Sequence, residues 1–187
     1  MASEVVLIRH GATEWSQNGR HTGRTDIPLT DQGRACAREL APRVEEWQFS
    51  LILVSPLQRA RETADLVGLG AQAVVDDDLR EWDYGDDEGR TTEQIRESDP
   101  GWTIFTGAVP HGETAEQVGA RADRVIARAD ATQGAVALVA HGHILRVLTA
   151  RWCSLPPTDG ALFALDPSTL SVLGYEHETR VVHRWNC

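Results

Sequence analysis

The chain has 187 residues, about the length of one ordinary domain with a single hydrophobic core. Its formal net charge is −10, and its 18 basic residues are all arginine. This balance argues against nucleic acid or an anionic membrane as a partner. Any anion that the protein binds must therefore be held locally by guanidinium groups, which can bond two oxygens at once.

The cysteines and the N-terminal residues bear on cellular location. Cys36, Cys153 and Cys187 are an odd number without the spacing of a metal site, which is typical of reduced thiols in a cytoplasmic protein. The sequence begins with no basic leader and with only a short apolar run, so we expect neither a signal peptide nor a spanning segment. We expect one domain, residues 1–187, whose oligomeric state stays open.

Strands and helices alternate in the first part of the chain. Residues 5–8 form a continuous apolar run, which is typical of a strand covered on both faces. After a polar, glycine-containing segment, Thr30 is placed to cap a helix that runs to residue 47, with Pro42 as a potential kink. Residues 51–54 then predict a second buried strand.

A helix and a loop are predicted next. Ser55 and Pro56 predict the N-cap and the first residue of a helix that extends to about residue 67. A short strand follows near residues 73–75. Residues 76–90 are too acidic, and too often interrupted by glycine, for regular structure. They predict a long surface loop.

The remaining residues continue the alternation. The pattern predicts a short helix (91–98), a linker (100–112) and a longer helix with one apolar face (113–131). It then predicts a strand (135–140), a helix (144–152) and three β-like stretches near Leu162, Val172 and Val181. Such alternation predicts an α/β fold, a three-layer α/β/α sandwich with a mainly parallel central sheet. Ligands of such folds bind at the carboxyl ends of the strands.

Two of the buried strands end in the same pair of residues. VVLIRHG ends in His10 and Gly11, and VALVAHG ends in His141 and Gly142. One such histidine alone is most simply a polar residue that ends a strand. If the two strands are neighbours, however, both imidazoles enter one crevice, with Arg9 beside the first.

This arrangement indicates phosphoryl transfer. A neutral imidazole can attack phosphorus when a carbonyl holds its other nitrogen in the right tautomer, which makes His10 a candidate nucleophile. The reaction otherwise needs positioning and charge stabilisation, for which Arg9, Arg59 and a protonated His141 are candidates. Arg61 competes with Arg59, which is favoured by its position near the predicted helix start.

The leaving group needs a proton donor, and the acidic loop offers several. The candidates are Glu81, Asp83, Asp86, Asp87 and Glu88. Composition alone does not choose among them.

Four segments together resemble the histidine phosphatase superfamily, which includes the cofactor-dependent phosphoglycerate mutases. They are LIRHGATEW at 7–15, SPLQRA at 55–60, LREWDYG at 79–85 and AHG at 140–142, in the family's order across most of the chain. The stretches TEWSQNGRHTGRTDIPLT, VVDDDLREWDYGDDEG and AHGHILR are most similar to the small phosphatases of the sedoheptulose-bisphosphatase branch. The resemblance implies a phosphoglycerate mutase-like fold.

The resemblance also implies roles for individual residues. It makes His10 the phosphorylated nucleophile, with Arg9, Arg59 and His141 as the ring that holds phosphate, and Glu81 the proton donor and acceptor. The residues that match substrate-binding positions are Thr13, Ser16, Thr22, Gly23, Tyr84, Gly142 and His143.

Several of these residues have an ordinary structural alternative. The hydroxyls of Thr13, Ser16 and Thr22 could equally bond to local backbone, and Tyr84 and Trp82 could be packing aromatics.

His141 and His143, two residues apart, raise the alternative of a zinc site. The following helix makes a shared face doubtful, however, and we expect no metal and no cofactor.

Two positions depart from the commoner family pattern: Ala12 stands where glutamate or glutamine is frequent, and Ser16 where asparagine is frequent. The outer wall of the pocket is expected to come from residues 21–28, residues 102–111 and Arg146.

The stretch between Glu81 and His141 is short for a mutase, whose larger insertion and C-terminal tail keep water from the phosphoenzyme. Without that lid, water becomes the acceptor. The sequence therefore predicts a metal-independent phosphatase that hydrolyses a small phosphorylated metabolite, such as a sugar phosphate, through phosphohistidine. A phosphoglycerate mutase and a non-catalytic phospho-ligand sensor are the alternatives, and the retention of Glu81 argues against the sensor.

Overall fold

Six strands form one central sheet in the computed structural model, which describes residues 2–187. The strands are β1 (Ala2–Arg9), β2 (Phe49–Val54), β3 (Val74–Val75), β4 (Gly134–Ala140), β5 (Leu170–Glu176) and β6 (Thr179–Arg184). Their order in the sheet is β3-β2-β4-β1-β5-β6. The first four strands of that order are parallel, whereas β5 runs antiparallel to β1 and forms a hairpin with β6.

Helices connect the strands and cover the sheet. The α-helices are α1 (Glu14–Gln17), α2 (Asp31–Val44), α3 (Gln58–Leu66), α4 (Thr92–Arg96), α5 (Ala115–Ala131) and α6 (Gly142–Trp152). Short 3-10 helices span Gly70–Gln72, Asp77–Leu79, Gly85–Asp87 and Pro157–Leu162. In the part of the chain that the structure describes, no helix combines the length and the apolar character needed to cross a membrane.

Strand β1 shows why the sheet is covered on both faces. Val5, Val6, Leu7 and Ile8 are each at most 1% exposed, and a fully buried side chain of this kind stabilises the fold by roughly 1.5–3 kcal/mol. Val5 and Leu7 pack in one core with residues of α5 and α6, and Val6 and Ile8 pack in the other with residues of α2 and α3. The predicted three-layer sandwich with a mainly parallel sheet is confirmed.

The register between β1 and β4 positions the site. The two strands are parallel neighbours, with Arg9 opposite Ala140. Each strand ends there, so the next residue in each chain segment, His10 or His141, leaves the sheet at the same edge. The predicted meeting of the two His-Gly pairs therefore follows from strand pairing.

Two predicted features of the fold are wrong. The β-like stretch near Leu162 is the end of a 3-10 helix, and the Leu162 side chain is 73% exposed. This segment begins with Pro156 and Pro157, which lack the N–H that a sheet requires. Ser55 and Pro56 also do not begin a helix, because the Ser55 amide still bonds to the Val139 carbonyl of the sheet.

Helix α3 instead begins two residues later, with Leu57 at the N-cap and no side-chain cap. The predicted Thr30 cap is present, and its hydroxyl accepts from the Gly33 amide at 3.0 Å. Residues 100–112 contain no helix or strand, as expected of a linker, yet they bury Trp102, Ile104 and Phe105. Helix α1, which was not predicted, lies in the polar segment after β1.

Candidate active site

A pocket of about 250 Å³ opens beside the carboxyl ends of β1 and β4. Nine of the twelve predicted site residues line it: Arg9, His10, Thr13, Ser16, Thr22, Glu81, Tyr84, Gly142 and His143. The other three are Arg59, His141 and Gly23, which do not line it. Arg59 and His141 instead contact each other behind His10.

His10 has the tautomer that a nucleophile needs. Its Nδ1 lies 2.7 Å from the carbonyl oxygen of Gly11; because a carbonyl only accepts, Nδ1 must carry the hydrogen. Burial, reinforced by the charges of Arg59 and Arg9, lowers the pKa of His10 well below its ordinary value. The imidazole is therefore neutral, with the lone pair on Nε2.

The Gly11 carbonyl is itself held in place. The Gly11 amide donates to the Thr63 hydroxyl of α3 at 3.1 Å. A Cβ on Gly11 would lie 2.5 Å from the Gly33 carbonyl oxygen, so the turn after β1 packs directly on the start of α2 and only glycine fits there. Thr63 was not predicted, because nothing in a helical pattern singles out one threonine as a backbone ligand.

His141 is neutral in the structure rather than protonated as predicted. Arg59 Nε, which only donates, lies 3.2 Å from Nδ1 of His141. Nε2 therefore carries the hydrogen and donates to the Ser55 hydroxyl at 2.7 Å. Burial, followed by the charge of Arg59, lowers the pKa of His141 well below its ordinary value. The rings of His10 and His141 meet edge to face, with 5.0 Å between centroids.

Arg59 holds the segment 22–25. It is completely buried, and its guanidinium donates to the carbonyls of Thr22, Gly23 and Thr25 at 3.0 to 3.1 Å. The charge of Arg59 also contributes to lowering the pKa of His10 and of His141. Arg61, the competing candidate, is exposed on the surface of α3.

Arg9 reaches the pocket directly from the end of β1. Its Nη1 donates to the Leu165 carbonyl, while its Nε is buried with no hydrogen-bond partner among residues 2–187. A Cβ on Gly142 would lie 3.2 Å from Arg9 Cζ, so this glycine lets the guanidinium lie flat against the start of α6. A buried donor without a partner, beside the candidate nucleophile, is suited to an anionic ligand.

Glu81 is the only one of the five acidic candidates that lines the pocket. Its Oε1 accepts from the amides of Trp82 and Ile144, and its Oε2 accepts from the amide of His143, at 2.8 to 2.9 Å. These bonds fix the carboxyl group at the N-terminus of α6. The other four acids are engaged elsewhere: Asp83 with Arg24, Asp86 with His111, Asp87 with Arg90, and Glu88 with the amides of Gly23 and Thr25.

Tyr84 and His143 form a neutral pair. The Tyr84 hydroxyl lies 2.6 Å from His143 Nδ1. Burial raises the pKa of Tyr84 well above its ordinary value and lowers the pKa of His143 well below its own. Tyr84 is only 1% exposed, so it both packs under the loop and contributes to the pocket wall. Trp82 is fully buried, as expected of a packing aromatic.

The hydroxyl-bearing candidates make local backbone bonds as well as lining the pocket. Thr13 and Ser16 form a reciprocal capping box at the start of α1, and the Thr22 hydroxyl donates to the Arg20 carbonyl at 3.2 Å. Gly23 is required by close packing, because a Cβ there would lie 2.5 Å from the Trp82 carbonyl oxygen.

The ring nitrogens that a zinc site at His141 and His143 would use are mostly engaged in hydrogen bonds. Both ring nitrogens of His141 are bonded to Arg59 and Ser55, and Nδ1 of His143 is bonded to Tyr84. Across residues 2–187, no group of three or more His, Cys, Asp or Glu side chains is arranged to hold a metal ion.

Sequence reasoning missed some residues of the pocket wall. Arg20, Thr92 and Leu165 line the pocket but were not among the predicted site residues. Arg20 lies within the stretch 13–30 that carries the resemblance, whereas Thr92 and Leu165 lie outside the recognised motifs and reach the pocket only through the fold. Of the predicted outer wall, His21, Thr22 and Arg146 are present, whereas no residue of 102–111 lines the pocket. Burial lowers the pKa of His21 to about 4.

Comparison with known proteins gives one family. The model of the histidine phosphatase superfamily (branch 1) matches residues 5–187. An acid phosphatase of Mycobacterium tuberculosis is 41% identical over 180 residues, which cover 94% of this chain and 88% of that protein. A sedoheptulose 1,7-bisphosphatase of Saccharomyces cerevisiae is 37% identical over 187 residues, covering 83% of this chain and 69% of that protein.

A solved structure is also closely similar. The mycobacterial glucosyl-3-phosphoglycerate phosphatase superposes with a TM-score of 0.88 at 30% identity, and the match covers 99% of both chains.

Proposed function

Since this chain belongs to the histidine phosphatase superfamily, we propose that it hydrolyses a small phosphate monoester through a phosphorylated His10. The observation that carries this proposal is the hydrogen bond between His10 Nδ1 and the Gly11 carbonyl. That bond leaves Nε2 as the nitrogen with a free lone pair, on a residue that lines the pocket.

The comparisons favour a phosphoric monoester hydrolase over a mutase. The relatives described above are named as phosphatases, which favours water as the final acceptor. The short stretch between Glu81 and His141 supports the same conclusion, because a phosphoenzyme without a covering insertion is open to water.

The first half of the reaction transfers the phosphoryl group to the protein. The substrate phosphate binds to Arg9, whose buried Nε has no other partner among residues 2–187. His10 Nε2 attacks phosphorus in line with the leaving oxygen, so an N–P bond forms while the ester P–O bond breaks. Glu81 gives its proton to the departing oxygen. The Gly11 carbonyl stabilises the Nδ1–H of the phosphohistidine.

The second half regenerates the protein. The carboxylate of Glu81 removes a proton from a water molecule, which attacks the phosphohistidine. A new P–O bond forms, the N–P bond breaks, and Nε2 regains its lone pair. Inorganic phosphate then leaves, with the proton back on Glu81. Three amides hold the Glu81 carboxyl group at the start of α6, in the same place for both steps.

Arg59 and His141 support the nucleophile from behind. Arg59 is a permanent cation next to the histidine pair, and a preorganised positive charge stabilises the charge that develops on the transferring group. We propose that this cation and Arg9 provide the charge neutralisation, so that no metal is required.

A substrate that is a small phosphorylated metabolite fits the volume of the pocket. A cytoplasmic location is consistent with the three free cysteines. The substrate class and the cellular location both stay predictions.

Phosphoenzyme trapping tests the proposal. The protein is mixed with 32P-labelled substrate and quenched, and the label is located by peptide mass spectrometry. We expect acid-labile, base-stable label on His10, no label in His10→Asn, and unchanged hydrolysis of p-nitrophenyl phosphate in EDTA. Label on another residue, or loss of activity in EDTA, overturns the mechanism.

A further inference from the structure

One backbone carbonyl sets the position of the Arg9 guanidinium. Arg9 Nη1 donates to the Leu165 carbonyl, while Nε has no hydrogen-bond partner among residues 2–187. Nearer the start of the same segment, the carbonyls of residues 160–161 accept from Arg146 at 3.1 and 3.2 Å. The backbone of the segment 160–166 therefore orients two arginines of the pocket, and the donors that Arg9 offers to a phosphate depend on where Leu165 lies.

Two residues that follow β6 bond to the neighbours of Leu165. Trp185 Nε1 donates to the Ala164 carbonyl, and Asn186 Oδ1 accepts from the Asp166 amide at 2.7 Å. These bonds hold the residue before Leu165 and the residue after it. The carbonyl that receives Arg9 is thus fixed by a part of the chain that does not line the pocket.

Asn186 also holds the side chain of Asp166. Its Nδ2 donates to Asp166 Oδ2 at 2.8 Å, so one carboxamide bonds to both the backbone and the carboxylate of the same residue. Asn186 has a φ of 54°, a left-handed conformation that asparagine adopts more readily than most residues. Its own amide donates to the hydroxyl of the fully buried Ser171 at 3.0 Å. The sheet therefore anchors the residue that holds Asp166.

Asp166 is an anion close to the arginine that binds the reacting phosphate. Burial lowers the pKa of Arg9, and the acidic groups of Glu81, Tyr84 and Asp166 oppose this change. The salt bridges of residues 2–187 nevertheless include none between Arg9 and Asp166. The Asp166 carboxylate bonds to Asn186 instead. A carboxylate that turned towards the guanidinium would gain a charge-assisted hydrogen bond and would occupy the donors that a phosphate needs.

We propose that Asn186 is a positioning residue of the phosphate site, because it keeps the Asp166 carboxylate away from Arg9 and so leaves that guanidinium free for the substrate. The inference rests on the proposed function, in which Arg9 binds the reacting phosphate, and it adds a residue outside the pocket on which that binding depends. Without the Asn186 side chain, the Asp166 carboxylate competes with phosphate for Arg9. Asn186 touches neither the substrate nor the reacting atoms, and it acts through Asp166 and Arg9.

The variant Asn186→Gly removes both side-chain bonds to Asp166 and spares the backbone, because glycine adopts a positive φ without strain. Calorimetric titration with inorganic phosphate measures the affinity of the site without turnover. We expect the dissociation constant for phosphate to rise by about tenfold or more, the scale on which one charge-assisted hydrogen bond acts. The KM for p-nitrophenyl phosphate rises with it. An unchanged dissociation constant overturns the proposal.

A double variant, Asn186→Gly with Asp166→Asn, separates positioning from a general effect on the fold. The second substitution removes the competing charge while the side chain keeps its size. Because the two residues act in one network, we expect phosphate affinity to return to within about threefold of that of the wild type. A loss that persists in the double variant overturns the proposal, because Asn186 then acts on the fold and not through the charge of Asp166.

Two further variants serve as controls. His177→Gly, in the exposed turn between β5 and β6, replaces a residue with the same φ of 54° and leaves the dissociation constant for phosphate unchanged. Trp185→Phe removes the other side-chain bond to the segment but leaves Asp166 bonded to Asn186, so phosphate affinity stays within about threefold. A loss in Trp185→Phe as large as in Asn186→Gly overturns the restraint on Asp166 as the cause. Failure of the phosphohistidine mechanism is read separately, from the label on His10.

Discussion

Glu88 and Arg59 both hold residues 22–25, Glu88 through backbone amides and Arg59 through backbone carbonyls. The Glu88 carboxylate accepts from the amides of Gly23 and Thr25 at 2.9 to 3.0 Å. Arg59 donates to the carbonyls of residues 22, 23 and 25 and to Nδ1 of His141. A continuous set of hydrogen bonds thus runs from the acidic loop to the second histidine.

Glu88→Gln tests whether this set of bonds positions the site. An amide has one acceptor oxygen where the carboxylate has two, so at least one bond to the segment weakens. We expect kcat to fall about tenfold and stability to fall by about 1–2 kcal/mol, the scale of a charge-assisted hydrogen bond. Steady-state kinetics and urea unfolding measure the two effects. Glu93→Gln, on the exposed face of α4, changes neither, and normal kcat in Glu88→Gln contradicts the positioning role.

Gly142→Ala separates ligand binding from stability. The new Cβ would lie 3.2 Å from Arg9 Cζ, so the guanidinium must move. Alanine favours a helix over glycine by up to about 1 kcal/mol, so stability is kept or increased. We expect kcat/KM to fall by about tenfold or more, because Arg9 binds the reacting phosphate. Gly101→Ala, where a Cβ meets nothing within 4 Å, leaves activity intact. Normal kcat/KM in Gly142→Ala contradicts the need for this position of the Arg9 guanidinium in binding.

Ser55→Ala removes the hydrogen-bond acceptor of His141 Nε2. Ser55 Oγ and His141 Nε2 lie 2.7 Å apart, and both residues are fully buried. Leaving a buried donor without a partner costs about 1–3 kcal/mol, which urea unfolding measures. We also expect kcat to fall, because the His141 ring packs against His10. The control is Ser50→Ala, at an exposed position of β2. If Ser55→Ala and Ser50→Ala have the same free energy of unfolding, the hydrogen bond between Ser55 and His141 does not contribute to stability.

Stability depends on pH through the buried histidines. The pKa values of His10, His141 and His143 are lowered well below the ordinary 6.5, and that of His21 falls to about 4. Below pH 6.5 the unfolded chain binds protons that the folded protein does not. The free energy of unfolding therefore has its full value above pH 6.5. It declines as the pH falls from 6.5 towards the pKa values that these histidines have in the folded protein.

The variant His21→Asn isolates one of these protons. Between pH 6.5 and 4, the slope of unfolding free energy against pH decreases by at most about 1.4 kcal/mol per pH unit, the amount that one proton supplies. Urea unfolding at several pH values measures the slope. Gln72→Asn, an exposed exchange of two residues that bind no proton in this pH range, leaves the slope unchanged. The same slope in His21→Asn as in the wild type contradicts the lowered pKa.

The sequence was most informative where one pattern had one structural solution. The two apolar runs that end in His-Gly were expected to bring both imidazoles into one crevice if their strands were neighbours, and β1 and β4 are parallel neighbours. Thr30 predicted a helix start because its hydroxyl satisfies a free amide. The three-layer fold followed from the alternation of strands and helices.

Contacts between distant segments could not be read in this way. Ser55 has the residue type of a helix cap, but strand pairing holds its backbone and its hydroxyl bonds to His141. The family resemblance pointed to Arg59, yet the use of its donors by three backbone carbonyls depends on the path of residues 22–25. Composition alone could not choose Glu81 from the acidic loop, because that choice depends on which carboxylate meets the start of α6; only the family resemblance pointed to it.

The carbonyls of residues 160–165 have an effect that extends beyond the pocket. Since they orient Arg9 and Arg146 without cancelling their charge, the pocket has a positive potential on a protein that is negative overall. A Debye length of about 8 Å at physiological salt confines each field to its own neighbourhood. An approaching anion is thus repelled by most of the surface and attracted only close to the opening, so added salt changes the encounter rate through two opposing effects.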